Sequence, residues 1–339
     1  MKNETAPAPE LSLLIPLFNE EGNLEPLLDR IESVMEGLNK TYEVVLVDDG
    51  STDATPRLLE KAARERKGLR VVFFRRNSGQ TAALAAAIEH ARAATLIPLD
   101  GDLQNDPGDI PRLLAKLDEG YDVASGWRRH RQDPFLTRIL PSKLANRIIS
   151  LISGVHLHDY GCTLKAYRRE VLQPTHLIGE MHRFIPVLAS WQGARVAEVE
   201  VAHHPRATGK SKYGLGRTLK VILDLLTIKF MGSFLTKPIY AFGGTGFALL
   251  FLSGLLFLFT LWEKIAADVW VHRNPVFLIA IFSALVGLQL VMMGLLGELL
   301  IRIYFASLKS TPYVISRVLE SPCAESPGSS DRDAPTATS

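Results

Sequence analysis

Short apolar runs alternate with longer amphipathic stretches through the first 205 residues of the chain. Runs of this length that are rich in Val, Ile and Leu predict strands, and the stretches between them carry the apolar spacing of helices. Strands that alternate with helices in this way predict an α/β domain built on a mostly parallel sheet. The clearest predicted strands are residues 11–18, 42–49, 69–74 and 95–100.

Two longer apolar segments follow this region. Residues 238–262 contain no Asp, Glu, Lys or Arg, and residues 275–297 contain none either, with Gln289 as the strongest polar group. At about 1.5 Å per residue, a helix of either length crosses the roughly 30 Å hydrocarbon layer of a bilayer. Two helices buried in a soluble core are the alternative, but such helices rarely run this long without charge. The sequence therefore predicts a transmembrane hairpin.

The charges around this hairpin predict its orientation. Lys and Arg residues flank its two outer ends, whereas the connection between the spans is balanced, so the positive-inside rule places both termini in the cytosol. The polar N-terminus lacks the basic-then-apolar pattern of a secretory signal. The two cysteines, Cys162 and Cys323, lie in segments of different character, which favours a reducing compartment. We expect an integral inner (plasma) membrane protein whose sheet domain and both termini are cytoplasmic.

Composition divides the chain into five segments. An amphipathic stretch at 215–234 precedes the hairpin, and its pattern is typical of a helix lying on a membrane surface. The net charge of +2 argues against a nucleic-acid partner. The predicted segments are a flexible N-terminus (1–10), a sheet domain (11–205), a basic lid loop and interfacial helix (206–236), two transmembrane helices (237–305, with spans at about 238–262 and 275–297) and a largely disordered cytoplasmic tail (306–339).

Two acidic pairs end predicted strands, which is where ligands bind in parallel α/β sheets. Asp100 and Asp102 follow the fourth strand, and Mg²⁺ or Mn²⁺ favours such oxygen ligands. A cation held there would neutralise charge on a leaving diphosphate. Asp48 and Asp49 end the second strand and suit either hydrogen bonds from a base and a ribose or, with the Gly-Ser that follows, a structural turn.

Three motifs contain these residues and occur in chain order. They are Ile-Pro-Leu-Phe-Asn-Glu (15–20), Val-Asp-Asp-Gly-Ser-Thr-Asp (47–53) and Leu-Asp-Gly-Asp-Leu-Gln (99–104). In this order they resemble family-two glycosyltransferases of the GT-A fold. A further motif at 159–169 and the paired apolar segments resemble the polyprenyl-phosphate glycosyltransferases, a group that includes dolichol-phosphate mannose synthase, bactoprenol glucosyltransferases and undecaprenyl-phosphate aminoarabinose transferases. The resemblance covers about residues 11–318.

This resemblance implies a Rossmann-like catalytic domain that transfers a sugar, with inversion, from a nucleotide-sugar to a polyprenyl phosphate. It also implies a homo-oligomer. The residues that it assigns to the nucleotide pocket are Pro16, Glu20, Asp48 and Gly79. Asp49 is a further candidate for this pocket, because it follows Asp48 directly. The residues that it assigns to Mg²⁺ or Mn²⁺ and the donor diphosphate are Asp100, Asp102 and Gln104.

An acceptor phosphate requires cations, and the resemblance assigns Arg128, Arg138 and Ser142 to it, with arginine offering a bidentate fork. Pro141 disfavours helical geometry at the preceding residue and is expected to start a helix, which would take Arg138 off the face of Ser142 and Asn146. The alternative for residues 128–131 is a solvated basic loop that touches anionic lipid headgroups.

A basic loop at 203–213 is expected to close over the donor, because lids of this kind exclude water. Arg206 and Lys210 are its candidate contacts to the diphosphate. Its two adjacent histidines lack a Cys or acidic partner at ligand spacing, so zinc is not expected there. Asp159 is a candidate catalytic residue, although an anionic acceptor needs little help from a base, and it would alternatively orient Lys165 or Arg128.

The function expected from these residues is an inverting polyprenyl-phosphate glycosyltransferase, with a UDP-sugar favoured and GDP-mannose as the other donor considered. Its partners would be the nucleotide-sugar, undecaprenyl or dolichyl phosphate, and the bilayer. A processive polysaccharide synthase is the first alternative, but its Gln-X-X-Arg-Trp motif is absent from the sequence. A membrane scaffold without activity is the second, and the intact Asp100, Asp102 and Arg128 argue against it.

Overall fold

The structure, a computed structural model, describes residues 8–129, 140–172, 181–204, 238–267, 270, 274–307 and 313–321. They belong to two compact units, the first comprising Met1–Leu225 with Thr311–Ser339 and the second Leu226–Ser310. The predictions made for Arg138, Arg206, Lys210 and the stretch 215–234 lie outside the described residues.

One eight-stranded sheet forms the first unit. Its central strands are buried along almost their whole length, as expected for strands covered by helices on both faces. The four clearest predicted strands are all present, although the fourth ends two residues earlier than expected. The strands are β1 (Leu11–Leu17), β2 (Tyr42–Asp48), β3 (Leu69–Phe74), β4 (Thr95–Pro98), β5 (Val123–Trp127), β6 (Lys165–Arg168), β7 (Val196–Glu200) and β8 (Ile315–Glu320).

The strand order is β7-β5-β6-β4-β1-β2-β3-β8. Strand β1 pairs in parallel with both β2 and β4, and the pairs β2–β3 and β5–β7 are also parallel. Strands β6 and β8 run antiparallel to their neighbours. The predicted α/β class with a mostly parallel sheet is therefore confirmed.

Helices cover the sheet because each presents an apolar stripe to it. The buried residues of the first helix, for example, follow helical spacing at Leu24, Leu27, Leu28, Ile31 and Met35. The helices of this unit are α1 (Leu24–Leu38), α2 (Thr55–Glu65), α3 (Gln80–His90), α4 (Ile110–Asp118), α5 (Leu140–Ser153), α6 (Arg169–Leu172) and α7 (Ile185–Trp191), with 3₁₀ turns at Pro107–Asp109 and Met181–Phe184.

Strand β8 corrects one sequence-based boundary. Residues 306–339 were expected to form a largely disordered tail, whereas Ile315–Glu320 pairs with β3 at the edge of the sheet. Just before this strand, the ring of Tyr313 stacks on Phe74 with centroids 4.9 Å apart, and its hydroxyl donates to Glu89. The guanidinium of Arg317 lies 4.4 Å from the centre of the Phe73 ring. The chain that follows the hairpin thus completes the sheet of the first unit.

Two long helices, Pro238–Ala267 and Pro275–Ser307, form the second unit. Within them, Phe242–Ala266 and Pro275–Leu300 are long and apolar enough to cross a membrane, and only 11% of each apolar window is buried. The helices touch closely through small residues, because an added Cβ at Gly246 would lie 2.7 Å from the carbonyl oxygen of Gly287. The hydroxyl of Ser253 also donates to the carbonyl of Ala280 at 2.8 Å.

Candidate active site

The carboxyl ends of β1, β2 and β4 lie side by side at one edge of the sheet. The backbone N–H of Asp49 donates to the carbonyl of Leu17, and that of Leu99 donates to the carbonyl of Leu14, each at 2.9 Å. These bonds continue the parallel pairing with β1 for one residue beyond the ends of β2 and β4. Both acidic pairs therefore emerge at the carboxyl ends of β2 and β4, the two strands that flank β1, where parallel sheets bind ligands.

The Asp100 carboxylate receives one donor on each of its oxygens. Nε2 of Gln80, the first residue of α3, donates to Oδ1 at 2.9 Å. The hydroxyl of Thr163, two residues before β6, donates to Oδ2 at 2.6 Å. An ionised carboxylate offers about four acceptor sites. Two donors on different oxygens fix the plane of this carboxylate while leaving capacity for a cation.

Asp102 is held by the tight turn that follows β4. A Cβ added at Gly101 would lie 2.4 Å from Cδ2 of Leu17, so the turn packs directly against β1. Leu103 has a φ of +58°, which is strained for a large side chain. The backbone N–H of Gln104 donates to Oδ1 of Asp102 at 3.2 Å, and Asp102 is only 9% exposed. The turn thus places both acids at the same edge of the sheet.

Asp49 and Asp48 take different parts at the second strand end. Oδ1 and Oδ2 of Asp49 accept from the backbone N–H groups of Ser78 and Gly79 at 2.6 and 2.9 Å. Asp48 accepts from the N–H of Ser51 at 3.1 Å. Burial raises the pKa of both carboxyls above the ordinary value. The turn interpretation therefore describes Asp48, which accepts from Ser51 within the turn, whereas both oxygens of Asp49 hold the loop before α3. Asp48 remains the better candidate to meet a nucleotide, because the backbone of that loop does not occupy both of its oxygens.

The other predicted nucleotide-pocket residues surround these acids. Pro16 lies in β1 in register with Val47. Glu20 follows the end of β1, where its N–H donates to the hydroxyl of Thr55 at 2.9 Å and its Oε2 accepts from Asn23 at 2.6 Å. Gly79 caps α3 with a φ of +95°, and open space surrounds its added Cβ. A side chain at residue 79 would thus be opposed by backbone conformation rather than by a clash.

Arg128 and Asp159 form a buried ion pair. Nε and Nη2 of Arg128 donate to Oδ2 and Oδ1 of Asp159 at 2.7 and 3.1 Å, and their side chains are 12% and 4% exposed. Burial would lower the pKa of Arg128, but the charge of Asp159 and a smaller contribution from Asp100 raise it above its ordinary value. The fork uses two of the five guanidinium donors. Asp159 therefore orients Arg128, which is one of the two roles considered for it besides catalysis.

The remaining acceptor candidates are described only in part. Ser142 is half-buried in α5, and Arg138 lies outside the described residues. Further along α5, Nδ2 of Asn146 donates to the carbonyl of His158 at 2.6 Å. The hydroxyl of Ser150 donates to the carbonyl of Leu157 at 3.3 Å. Helix α5 is thus tied to the segment that leads into Asp159.

The start of the predicted lid lies next to the acidic turn. His203 forms an isolated bridge with Asn105, and the N–H of His204 donates to the carbonyl of Gln104 at 2.9 Å. Across the described ranges, no three His, Cys, Asp or Glu side chains gather as a metal site. Two carboxylates fit a cation whose other ligands are phosphate oxygens, which is how Mg²⁺ commonly binds.

Sequence reasoning missed Gln80 and Thr163. Neither side chain belongs to a residue type that alone indicates catalysis, and each reaches Asp100 from a distant part of the chain, 20 and 63 positions away. Thr163 does lie within the fourth motif. Its place in that motif indicated that Thr163 could matter for function, but not that its hydroxyl binds Asp100.

Comparison with a protein-family model gives a match to "Glycosyl transferase family 2" over residues 12–174. Among curated proteins, the dodecaprenyl-phosphate galacturonate synthase of Rhizobium johnstonii is 40% identical over 322 residues, which cover 94% of this chain and 95% of that protein. The undecaprenyl-phosphate 4-deoxy-4-formamido-L-arabinose transferase of Shewanella sediminis is 40% identical over 295 residues, which cover 87% and 88% of the two chains.

Among solved structures, glucosyl-3-phosphoglycerate synthase from Mycobacterium tuberculosis in complex with Mn²⁺, uridine diphosphate and glucosyl-3-phosphoglycerate has a similar fold. Its TM-score is 0.51 at 19% identity, covering 65% of this chain and 80% of that one. At this identity the likeness concerns the fold alone. It agrees with the α/β fold class predicted for the first unit.

Proposed function

The chain belongs to glycosyl transferase family 2, and we propose that it transfers a sugar from a nucleotide-sugar to a polyprenyl phosphate. Its relatives of about 40% identity over most of the chain are transferases named for polyprenyl-phosphate products or acceptors. The sheet domain carries the strand-end acids that a nucleotide diphosphate and its cation require. The second unit supplies two helices suited to a bilayer, where the acceptor resides.

The observation that carries this proposal is the position of Arg128 relative to Asp100. One short loop, residues 159–163, binds both: its first residue pairs with Arg128, and its last donates to Asp100. The same loop thus holds Arg128, the candidate to bind the acceptor phosphate, and Asp100, the candidate to bind the cation of the donor diphosphate. Transfer between two anionic substrates needs this arrangement, because opposite charges must bring the reacting groups together.

A divalent cation, Mg²⁺ or Mn²⁺, held by Asp100, Asp102 and Gln104 would neutralise charge on the leaving nucleoside diphosphate. Asp48 would accept hydrogen bonds from the nucleoside, with Pro16, Glu20 and Gly79 forming the surrounding pocket. Arg128, with Arg138 and Ser142, would hold the acceptor phosphate. That phosphate is already anionic, so the chain need not supply a strong base, and Asp159 acts on Arg128 instead. Direct attack on the anomeric carbon would invert it.

A UDP-sugar is the favoured donor, with GDP-mannose as the other candidate. The two named relatives handle galacturonate and 4-deoxy-4-formamido-L-arabinose, so a charged or amino-modified sugar is the first class to test. We further propose an inner-membrane location with both termini cytoplasmic, on the strength of the positive-inside bias. Arg206 and Lys210 would contact the diphosphate as parts of a lid. A homo-oligomer follows from the family resemblance.

The test incubates membranes that contain the protein with undecaprenyl phosphate and a panel of labelled nucleotide-sugars, with and without a chelator. Label that enters the organic phase only in the absence of chelator identifies the donor and supports the proposal. Asp102→Asn should reduce transfer about 100-fold because it removes a ligand of the charge-neutralising cation. Asp118→Asn, at the exposed end of α4, is the matched control and should transfer normally.

Three outcomes would contradict the proposal. Label that remains in the aqueous phase with every donor would argue for a protein without this activity. Label that grows into a polymer would favour a processive synthase. Transfer that is unchanged in Asp102→Asn would separate the activity from the acidic turn.

A further inference from the structure

The loop of residues 159–163 lies within the connection from helix α5 to strand β6 and contacts both Arg128 and Asp100. We propose that Thr163 is a positioning residue for Asp100, and that this loop is the rigid support through which Thr163 acts. The metal-binding part of this role rests on the proposed function. The hydrogen bonds that define the loop are independent of it.

The contact between Thr163 and Asp100 is short and directional. The hydroxyl oxygen of Thr163 lies 2.6 Å from Oδ2 and donates to it, while Nε2 of Gln80 donates to Oδ1 at 2.9 Å. Without the hydroxyl, the carboxylate would keep one anchor and could rotate about its last single bond. Residues that orient a metal-binding side chain in this way typically change metal affinity about 10–100-fold when they are removed.

Buried side chains hold the loop in place. Tyr160 and Cys162 are 2% and 0% exposed, on either side of the exposed Gly161. Nζ of the fully buried Lys165 donates to the carbonyl of Tyr160 at 3.3 Å and to the carbonyl of Cys162. Burial lowers the pKa of Lys165 below its ordinary value, so these two carbonyls matter for holding its charge. Backbone that is fixed at both carbonyls leaves Thr163 little freedom to move.

The same loop faces Arg128 at its other end. The N–H of Gly161 donates to Oδ1 of Asp159 at 3.0 Å, and a Cβ added at Gly161 would lie 3.2 Å from Nη2 of Arg128. The loop therefore packs against the guanidinium while its last residue reaches the acidic turn. A change at Thr163 removes the hydrogen bond to Asp100 and leaves the ion pair between Arg128 and Asp159 in place. It therefore tests the support of Asp100 separately from that of Arg128.

The test compares Thr163→Val, which keeps the shape and removes the hydroxyl, with Thr163→Ser, which keeps the hydroxyl. Mn²⁺ binding to the full-length protein in detergent is measured by electron paramagnetic resonance in the presence of UDP. We expect the dissociation constant for Mn²⁺ to rise about tenfold or more in Thr163→Val and to stay within about threefold of wild type in Thr163→Ser. Gln80→Leu removes the other donor and should weaken Mn²⁺ binding by a similar factor.

Thermal unfolding and kinetics separate positioning from simple damage. Thr95→Val, at the opposite end of β4 from Asp100, is the matched control for a Thr-to-Val change. Thr163→Val should melt near wild type, should regain most of its kcat at saturating Mn²⁺, and should keep its KM for polyprenyl phosphate. A purely structural role would instead lower the melting temperature, with no rescue by Mn²⁺.

The result that would overturn the inference is an Mn²⁺ affinity that is unchanged in Thr163→Val, or one that Thr163→Ser fails to preserve. This outcome is distinct from failure of the proposed function. Mn²⁺ binding that depends on Thr163 in a protein that transfers no sugar would support the positioning role and contradict the function. An active transferase whose Mn²⁺ affinity does not change in Thr163→Val would support the proposed function and contradict the positioning role.

Discussion

Replacing Asp159 by Asn should destabilise the sheet domain and weaken acceptor binding together. The side chains of Arg128 and Asp159 are 12% and 4% exposed, so the substitution leaves a buried guanidinium without its counter-charge. Removing one partner of such a pair costs about 3–5 kcal/mol. In a domain of this size, each kcal/mol shifts the melting temperature by about 2–4 °C, which predicts a fall of about 6–20 °C. The remaining amide oxygen still accepts one hydrogen bond, so the lower end of this range is expected.

The assay is thermal unfolding of the purified full-length protein, alongside the KM for polyprenyl phosphate. Glu200→Gln is the matched control, because Glu200 pairs with Arg129 at 3.4 Å while both side chains are exposed. Exposed pairs contribute at most about 1 kcal/mol, so this variant should melt near wild type. The KM for the acceptor should rise in Asp159→Asn only.

Two results would contradict these expectations for Asp159→Asn. An Asp159→Asn variant that melts with the wild type would show that the pair does not stabilise the fold. A variant with an unchanged acceptor KM, but whose kcat has lost the acidic limb of its pH profile, would make Asp159 a general base.

Three further predictions concern packing, pH and the last strand. Gly246→Ala should lower the melting temperature of the second unit, because its Cβ would meet the carbonyl of Gly287 and overpacking costs about 1–3 kcal/mol; Gly244→Ala, whose Cβ has open space, should not. Burial lowers the pKa of His182 from 6.5 to about 3, so the folded protein binds fewer protons than the unfolded chain. Stability should therefore fall by up to about 1.4 kcal/mol per pH unit as pH drops below about 6.5, and pH-dependent melting of His182→Gln should lack this slope. Ending the chain at residue 312 removes β8 with Tyr313 and should cost more than about 3 kcal/mol in thermal unfolding, whereas a chain ending at residue 321 should melt as wild type; equal melting of the two truncations would contradict the role given to β8.

The central part of the fold could be predicted because its strands are buried on both faces. Apolar runs of this kind stand out in a sequence, and the right-handed connection of strand, helix and strand leaves few ways to arrange them. Strand β8 could not be found in the same way. Its contacts join positions as distant as Glu60 and Arg317, which lie 257 residues apart, and its own pattern alternates weakly. The order of the strands along the chain gives no sign that the last one returns to the sheet of the first unit and pairs with β3.

The candidate site was predictable where one rule applied. Acids at the carboxyl ends of parallel strands are expected at the same end of the sheet, and Asp48 and Asp100 do emerge there, from the two strands that flank β1. The division of labour between Asp48 and Asp49 was not predictable, because it depends on which side chain faces the loop before α3. The support given by Thr163 likewise depends on a loop whose conformation is set by buried contacts rather than by local sequence preference.

The most direct test of the account measures whether a cation at the acidic turn lies close to an acceptor phosphate at Arg128. Mn²⁺ and UDP are added to the protein with a short-chain polyprenyl phosphate, and the ³¹P relaxation of the acceptor is recorded. Strong enhancement of relaxation by Mn²⁺ is expected in the wild type. It should be lost in Asp102→Asn, which no longer holds the cation, and in Arg128→Met, which no longer binds the acceptor phosphate. Enhancement that is absent from the wild type, or that survives both substitutions, would contradict the account.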